Sequence, residues 1–240
     1  MHKNKKYMTN TYSKFWVKQV LKYGYSDYHK AVISIIDTKE EKIVPESQKI
    51  LECCIGTGYP TAIELAKKGY ELYGVDIALA LIRKCKENTE NVNVNIKCVV
   101  GDAESLPYKN SAFNLTYCLQ STWYFTDIGK AIEELFRVTK SGGKIIFDIQ
   151  NLWNYRLLKW HLRRRAFYLL RVVKRKLTNR LSEDIIFTEI PASPLSIHLI
   201  LKKLHAQYKY IAVPIFDWDR WLSKIILLSP RLVFVCKKIY

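Results

Sequence analysis

Ile50-Leu51-Glu52-Cys53-Cys54-Ile55-Gly56-Thr57-Gly58 is the stretch that decides the fold. A short strand, residues 50–54, runs directly into a glycine turn. Pro60 follows, where the first turn of a helix tolerates a missing N–H, and residues 61–68 read as that helix, ended by Gly69. A glycine turn after a first parallel strand lets backbone approach a ligand at the open edge of a sheet. The alternation continues downstream. Residues 71–75 form a strand closing on Asp76, and 78–87 a helix. Residues 95–100 form a strand closing on Gly101-Asp102, and 112–119 another. Asp127 is placed to cap a helix running to about Val138, with Gly142-Gly143 as its stop. Residues 144–149 are a fifth strand. Strands alternating with helices in this way predict an α/β fold, a parallel sheet covered on both faces.

Outward from this core, residues 1–48 are rich in aromatics and read as an N-terminal helical cap. Residues 49–150 are expected to form the α/β core, 151–205 a basic, mostly helical insertion or lid, and 206–240 two further C-terminal strands (at 208–215 and 232–237). Trp218 and Trp221 lie in the loop between those strands. The 240 residues, 49% hydrophobic and 25% charged, suit one such domain and exclude collagen-like, low-complexity and mainly disordered classes. No stretch reaches the roughly 18 apolar residues of a membrane-spanning helix. The N-terminus is basic but lacks the apolar run of a signal peptide, so a cytoplasmic location is expected. The six cysteines, 53, 54, 85, 98, 118 and 236, show no disulfide or zinc spacing, and no metal is expected. Several lie in apolar runs, where free Cys packs as a small hydrophobe.

Asp76 lies 18 positions after Gly58, at the end of the next strand, where a carboxylate can accept hydrogen bonds from two ribose hydroxyls. A dinucleotide fingerprint would place a third Gly at position 61, which is Thr, so a pyrophosphate is poorly provided for. In order, the motifs LECCIGTG, YGVDI, GDAESLPY, FNLTYCLQS and LFRVTKSGGKIIF resemble the class I S-adenosylmethionine-dependent methyltransferases, in particular the subgroup acting on small molecules. The resemblance covers about 100 of the 240 residues. It implies a seven-stranded Rossmann-like sheet with the last strand antiparallel, and S-adenosylmethionine as cofactor. It further implies that Gly56, Thr57 and Gly58 wrap the aminocarboxypropyl part, with Glu52 near its ammonium. Asp76 would take the ribose, Ile77 and Ala103 the adenine ring, and Asp102 the adenine amino group. Leu119 and Gln120 would lie beside the methionine portion. Cys54 stands where the family has its first loop Gly, which predicts altered contacts rather than lost binding.

In-line methyl transfer chiefly requires alignment and water exclusion. A hydroxyl nucleophile also needs a base. His29, His161, His198 and His205 are available, none sits in a diagnostic motif, and no catalytic residue is assigned. The fourth strand, ending Leu119-Gln120-Ser121-Thr122, lacks the Asn/Asp-Pro-Pro-aromatic run of enzymes that methylate exocyclic base amines. Cys118 follows Tyr117 rather than the Pro of cytosine-C5 enzymes, and Glu133-Glu134 fall on a helix rather than beyond this strand. A small-molecule acceptor, anionic or lipid-linked and methylated at O or N, is therefore expected, with Tyr12, Trp16 and Trp123 as acceptor contacts.

Net charge is +17, and residues 156–180 hold ten Lys/Arg and no Asp or Glu, interleaved with Trp160, Phe167 and Tyr168. Such a segment suits a solvated lid face, an anionic membrane surface approached peripherally, or RNA. An RNA methyltransferase and a non-catalytic cofactor-binding protein are the competing functions.

Overall fold

The computed structural model describes residues 9, 27–36, 48–154, 156, 158–160, 162–163, 166, 192–213 and 229–239. In chain order the elements are α1 (Asp27–Ile36), β1 (Lys49–Cys53), α2 (Thr61–Lys67), β2 (Glu71–Asp76), α3 (Leu79–Asn91), β3 (Ile96–Val100), β4 (Phe113–Cys118), α4 (Ile128–Val138), β5 (Thr139–Gln150), α5 (Pro194–Lys203), β6 (Gln207–Ala212) and β7 (Arg231–Lys237). They build one seven-stranded sheet in the order β3-β2-β1-β4-β5-β7-β6. Its first five strands run parallel, and β7 is antiparallel to both neighbours. Strand order reverses between β1 and β4, the switch point at which open α/β sheets leave a crevice for ligands.

Central strands buried on both faces carry near-continuous apolar runs, and alternate residues serve opposite layers. On one face Leu51, Cys53, Phe113, Phe147 and Phe234 pack with Ala131, Ile132 and Leu135 of α4 and Ile197 and Leu201 of α5. On the other, Ile50, Leu72, Leu115, Tyr117 and Ile146 pack with Val32 and Ile36 of α1, Ala62 and Ile63 of α2, and Ile82 and Cys85 of α3. Burial of side chains of this size contributes about 1.5–3 kcal/mol each, so the sheet holds the crevice rigid.

The sequence expectations for individual ends need three corrections. The first is α3, which runs to Asn91 rather than stopping at Glu87. The second concerns Gly142-Gly143, which is not a helix stop. Asp127 does cap α4, accepting from the Lys130 N–H, but the helix ends at Val138 and the chain enters β5 at once. Thr139 takes an extended conformation, and its hydroxyl bonds back to the Leu135 carbonyl at 2.6 Å and to Thr116. The glycines then sit inside β5. There, a Cβ on Gly143 would lie 2.8 Å from the Asn114 carbonyl oxygen. The third is β4, which ends at Cys118, because Gln120 has turned to a φ of 57°.

In the basic segment, residues 156, 158–160, 162–163 and 166 are helical and all exposed, including Leu158, Trp160 and Leu162. Residues 155, 157, 161, 164–165 and 167–191, most of 1–48, the strand residues expected at 214–215, and Trp218 and Trp221 lie outside the described residues. No helix among the described residues is long and apolar enough to cross a membrane.

Candidate functional site

A cavity of about 200 Å³ opens at the carboxyl ends of β1, β2, β3 and β4. Each strand delivers a polar residue as its ladder ends. From β1 come Glu52, Cys54, Gly56 and Thr57; from β2, Asp76 and Ile77; from β3, Asp102 and Ala103; from β4, Leu119 and Gln120. These are ten of the eleven residues expected at the cofactor.

Gly58, the eleventh, is not on the wall. Its φ is +74°, and a Cβ there would meet Cys85 Sγ at 2.7 Å, so its missing side chain lets the turn close onto α3. Gly56 (φ +58°) turns the chain beside the cavity, where a Cβ would meet nothing, so the backbone angle alone demands glycine. Cys54 adopts φ 60° without being glycine, a conformation costing about 1–2 kcal/mol for an L residue. The loop is set against Asp76, whose Oδ2 accepts from the Gly56 N–H at 3.0 Å and Oδ1 from the Ala78 N–H at 2.9 Å. Burial and the adjacent Cys54 push the Asp76 carboxyl up to about 7, against the opposing pull of the backbone donors.

Glu52 is buried, with the Tyr117 hydroxyl donating to Oε2 at 2.9 Å, and burial raises its pKa well above the carboxylate range. Thr57 Oγ1 is buried with no hydrogen-bond partner among the described residues. Asp102 Oδ1 accepts from the Glu104 N–H at 2.9 Å, which shapes the turn after β3. The wall carries Glu52, Asp76, Asp102 and Glu104 and no Lys or Arg. Within a chain of net charge +17 this is a cavity walled by carboxyl groups and no basic side chain, with burial raising the pKa of two of them, Glu52 and Asp76. Its carboxyl oxygens are acceptors suited to a ligand that brings hydroxyls and an ammonium, and the wall gives no counter-charge to a pyrophosphate.

Three features were not read from sequence. Glu104 is buried, and its carboxylate accepts from the N–H groups of Thr126 (2.7 Å) and Asp127 (3.1 Å) and the Thr126 hydroxyl, fixing the loop that carries Tyr124 and Phe125 on the cavity wall. Asp148 of β5 is fully buried. It accepts from the Tyr28 hydroxyl (2.6 Å) and the Gln120 N–H (2.7 Å), and Arg231 Nη1 stands 3.3 Å away. Burial nevertheless holds the Asp148 carboxyl above its ordinary value. The Arg231 guanidinium lies 5.0 Å from the centre of the Tyr28 ring and 4.7 Å from that of Trp123. The group therefore ties α1, β5 and β7 together behind Gln120. No local signal marks it, since Tyr28 and Asp148 are 120 residues apart.

Trp123, expected to meet the acceptor, is instead buried against Arg231 and is not on the wall; its neighbours Tyr124 and Phe125 are. Tyr12 and Trp16 lie outside the described residues. Of the histidines, His29 lines the cavity, and burial together with the charge of Arg231 lowers its pKa to about 4. His198 is exposed and contacts Tyr208, His205 is exposed on the turn after α5, and His161 is not described.

A methyltransferase-domain family matches residues 51–147. The chain is 31% identical over 90 residues to the sterol 4-C-methyltransferase of Caenorhabditis elegans, covering 36% of this chain and 27% of that protein. It is 25% identical over 130 residues to the demethylmenaquinone methyltransferase of Paenarthrobacter aurescens, covering 54% and 47%. The match thus spans less than half the length of these relatives. In fold it is similar to the magnesium protoporphyrin IX methyltransferase of Synechocystis, solved with bound S-adenosylmethionine. That likeness has a TM-score of 0.64 at 12% identity over 98% of this chain and 97% of the other.

Proposed function

We propose that the chain is a class I S-adenosylmethionine-dependent methyltransferase, as its methyltransferase-domain match over residues 51–147 supports, and that it methylates a small-molecule acceptor at O or N, using the cavity at the strand ends for cofactor. The wall lined by carboxyl groups and no Lys or Arg is the observation that carries this reading. Glu52 is a buried carboxyl that accepts from the Tyr117 hydroxyl, and an incoming ammonium of the methionine part would favour its ionised form. Asp76 already holds the loop through two backbone N–H groups and has further lone pairs for ribose hydroxyls. Asp102 and Ala103, on the cavity wall after β3, would hold the adenine, and Leu119 and Gln120, after β4, would lie beside the methionine portion. When bound, the cofactor supplies an electrophilic methyl group on a sulfonium.

The chain's task is then alignment and exclusion of water. Asp148 positions Gln120 through its backbone N–H, while Glu104 fixes the loop that places Tyr124 and Phe125 at the acceptor side. His29 is uncharged near neutral pH and a weak base. It serves better as a polar contact than as a proton acceptor, which favours an acceptor that needs little deprotonation.

The exposed Trp153, Leu158, Trp160 and Leu162, beside exposed Arg156, Lys159 and Arg163, support a lipid-linked acceptor met at an anionic membrane surface. The test is calorimetric titration with S-adenosylhomocysteine, followed by methyl-transfer assays with quinone-like, sterol and carboxylate acceptors. Absence of S-adenosylhomocysteine binding by the folded chain would overturn the reading.

A further inference from the structure

Cys53, Cys54 and Cys118 stand at the junction of β1, β4 and the glycine loop, and their three Sγ atoms all lie within 4.8 Å of one another. The fold brings this about in two steps. Parallel register pairs Cys53 of β1 with Cys118 of β4, so the two side chains leave the sheet side by side on one face. Regular alternation would then send Cys54 to the opposite face. The left-handed turn at Cys54, φ 60°, ends the strand and brings its thiol back to the other two. The surroundings are dry. Cys53 and Cys118 are buried among Leu51, Val75, Ala103 and Phe147, and Cys54 packs against the same cluster while also lining the cavity.

We propose that Cys53, Cys54 and Cys118 form a three-thiolate site for a soft, low-coordinate metal cation of the Cu(I) class, built into the wall of the cofactor cavity. Soft thiolate ligands select such ions. Sulfurs about 2.3 Å from a central metal in a trigonal arrangement are about 4 Å apart, which small side-chain rotations reach from the present spacing. Among the described residues no His, Asp, Glu or further Cys joins the group, so a tetrahedral ion would lack its fourth protein ligand. Binding releases the thiol protons to solvent. The linear spacing of the cysteines predicted no metal site, because two ligands are adjacent and the third arrives through strand pairing. The site shares Cys54 with the cavity wall, but its three-thiol geometry holds whichever ligand the cavity takes.

The experiment is anaerobic titration of the reduced, full chain with Cu(I) in competition with the chromophoric chelator bathocuproine disulfonate, read by chelator absorbance and by thiolate-to-copper charge transfer. The expected result is one Cu(I) retained per chain. Cys54→Gly is the decisive variant, because glycine adopts φ 60° freely and the fold does not suffer. It should weaken retention by more than the roughly 10–100-fold that loss of an outer-shell partner costs. Cys118→Ser should do the same, and Cys98→Ser should leave retention unchanged. No Cu(I) held against the chelator, or equal retention by Cys54→Gly, overturns the proposal, as does retention lost in Cys98→Ser instead.

Discussion

Ribose binding by this chain should release a proton near neutral pH. Asp76 is buried, and its carboxyl is pushed up to about 7, by burial first and by Cys54 second. Ribose hydroxyls donate hydrogen bonds, so they favour the ionised carboxylate. The raised value means that the free protein carries this proton below pH 7 and must give it up to bind. If only the ionised form binds, affinity climbs as pH rises and levels off above the pKa. Between pH 6 and pH 8 the gain is about tenfold, or about 1.4 kcal/mol. The ligand of choice is methylthioadenosine, which has the ribose but no ammonium, so Glu52 does not contribute. Calorimetry at pH 6, 7 and 8, in buffers of differing ionisation enthalpy, counts the released proton directly. Asp76→Asn should bind more weakly and with no pH dependence across this window. His29, lowered to about 4, does not titrate there. A flat affinity in the wild type, or a pH dependence that persists in Asp76→Asn, would refute the role of Asp76.

Three further outcomes are expected. Glu52→Gln should weaken S-adenosylhomocysteine by about 10–100-fold, matching a charged hydrogen bond of about 1.5–3 kcal/mol, and leave methylthioadenosine unchanged; equal loss for both ligands would move Glu52 away from the ammonium. Tyr28→Phe removes a donor to the buried Asp148 and should cost about 1.5–3 kcal/mol in urea unfolding at unchanged m-value, whereas a cost below 0.5 kcal/mol (roughly the level of a surface change) would show that Arg231 and Gln120 satisfy the carboxylate alone. The triple change Arg156→Glu, Lys159→Glu and Arg163→Glu alters local charge by about six and, at about 1 kcal/mol per basic residue, should abolish sedimentation with anionic vesicles; wild-type binding to RNA, steeply salt-dependent, in place of vesicles would favour the RNA reading.

The parts of this molecule legible in its sequence are those encoded within one strand–turn–helix unit. Glu52, Gly56, Asp76 and Asp102 each sit where a strand stops and polar character returns, so reading strand ends in order finds the cavity wall. What escaped is set by contacts between distant segments. Gly58 carries the same local signature as Gly56, yet its role is decided by Cys85 on the following helix. Gly142-Gly143 looks like a helix terminator. The β-branched Thr139 had already made the transition, and the glycines serve a close backbone approach within the sheet. Trp123 has the composition of an acceptor contact, but Arg231, from the last strand, claims its ring.

These misplacements bear on how the acceptor is selected. The side of the cavity proposed for the cofactor is assembled from short-range elements with rigid strand support on both faces. The side proposed for the acceptor depends on two buried carboxylates, Glu104 and Asp148, which collect backbone and side-chain donors from other segments. A buried carboxylate costs several kcal/mol in desolvation unless its lone pairs are filled. Each therefore enforces one geometry on the loops that satisfy it, those carrying Gln120 and those carrying Tyr124 and Phe125. Change in acceptor preference is accordingly expected to arise from residues 121, 124 and 125 on the wall, with Glu104 and Asp148 retained. Tyr124→Ala and Phe125→Ala should alter acceptor KM while leaving S-adenosylhomocysteine affinity within about twofold, a change of roughly 0.4 kcal/mol. If these two substitutions instead weaken cofactor binding and leave acceptor KM unaltered, the two sides of the cavity have been assigned the wrong way round.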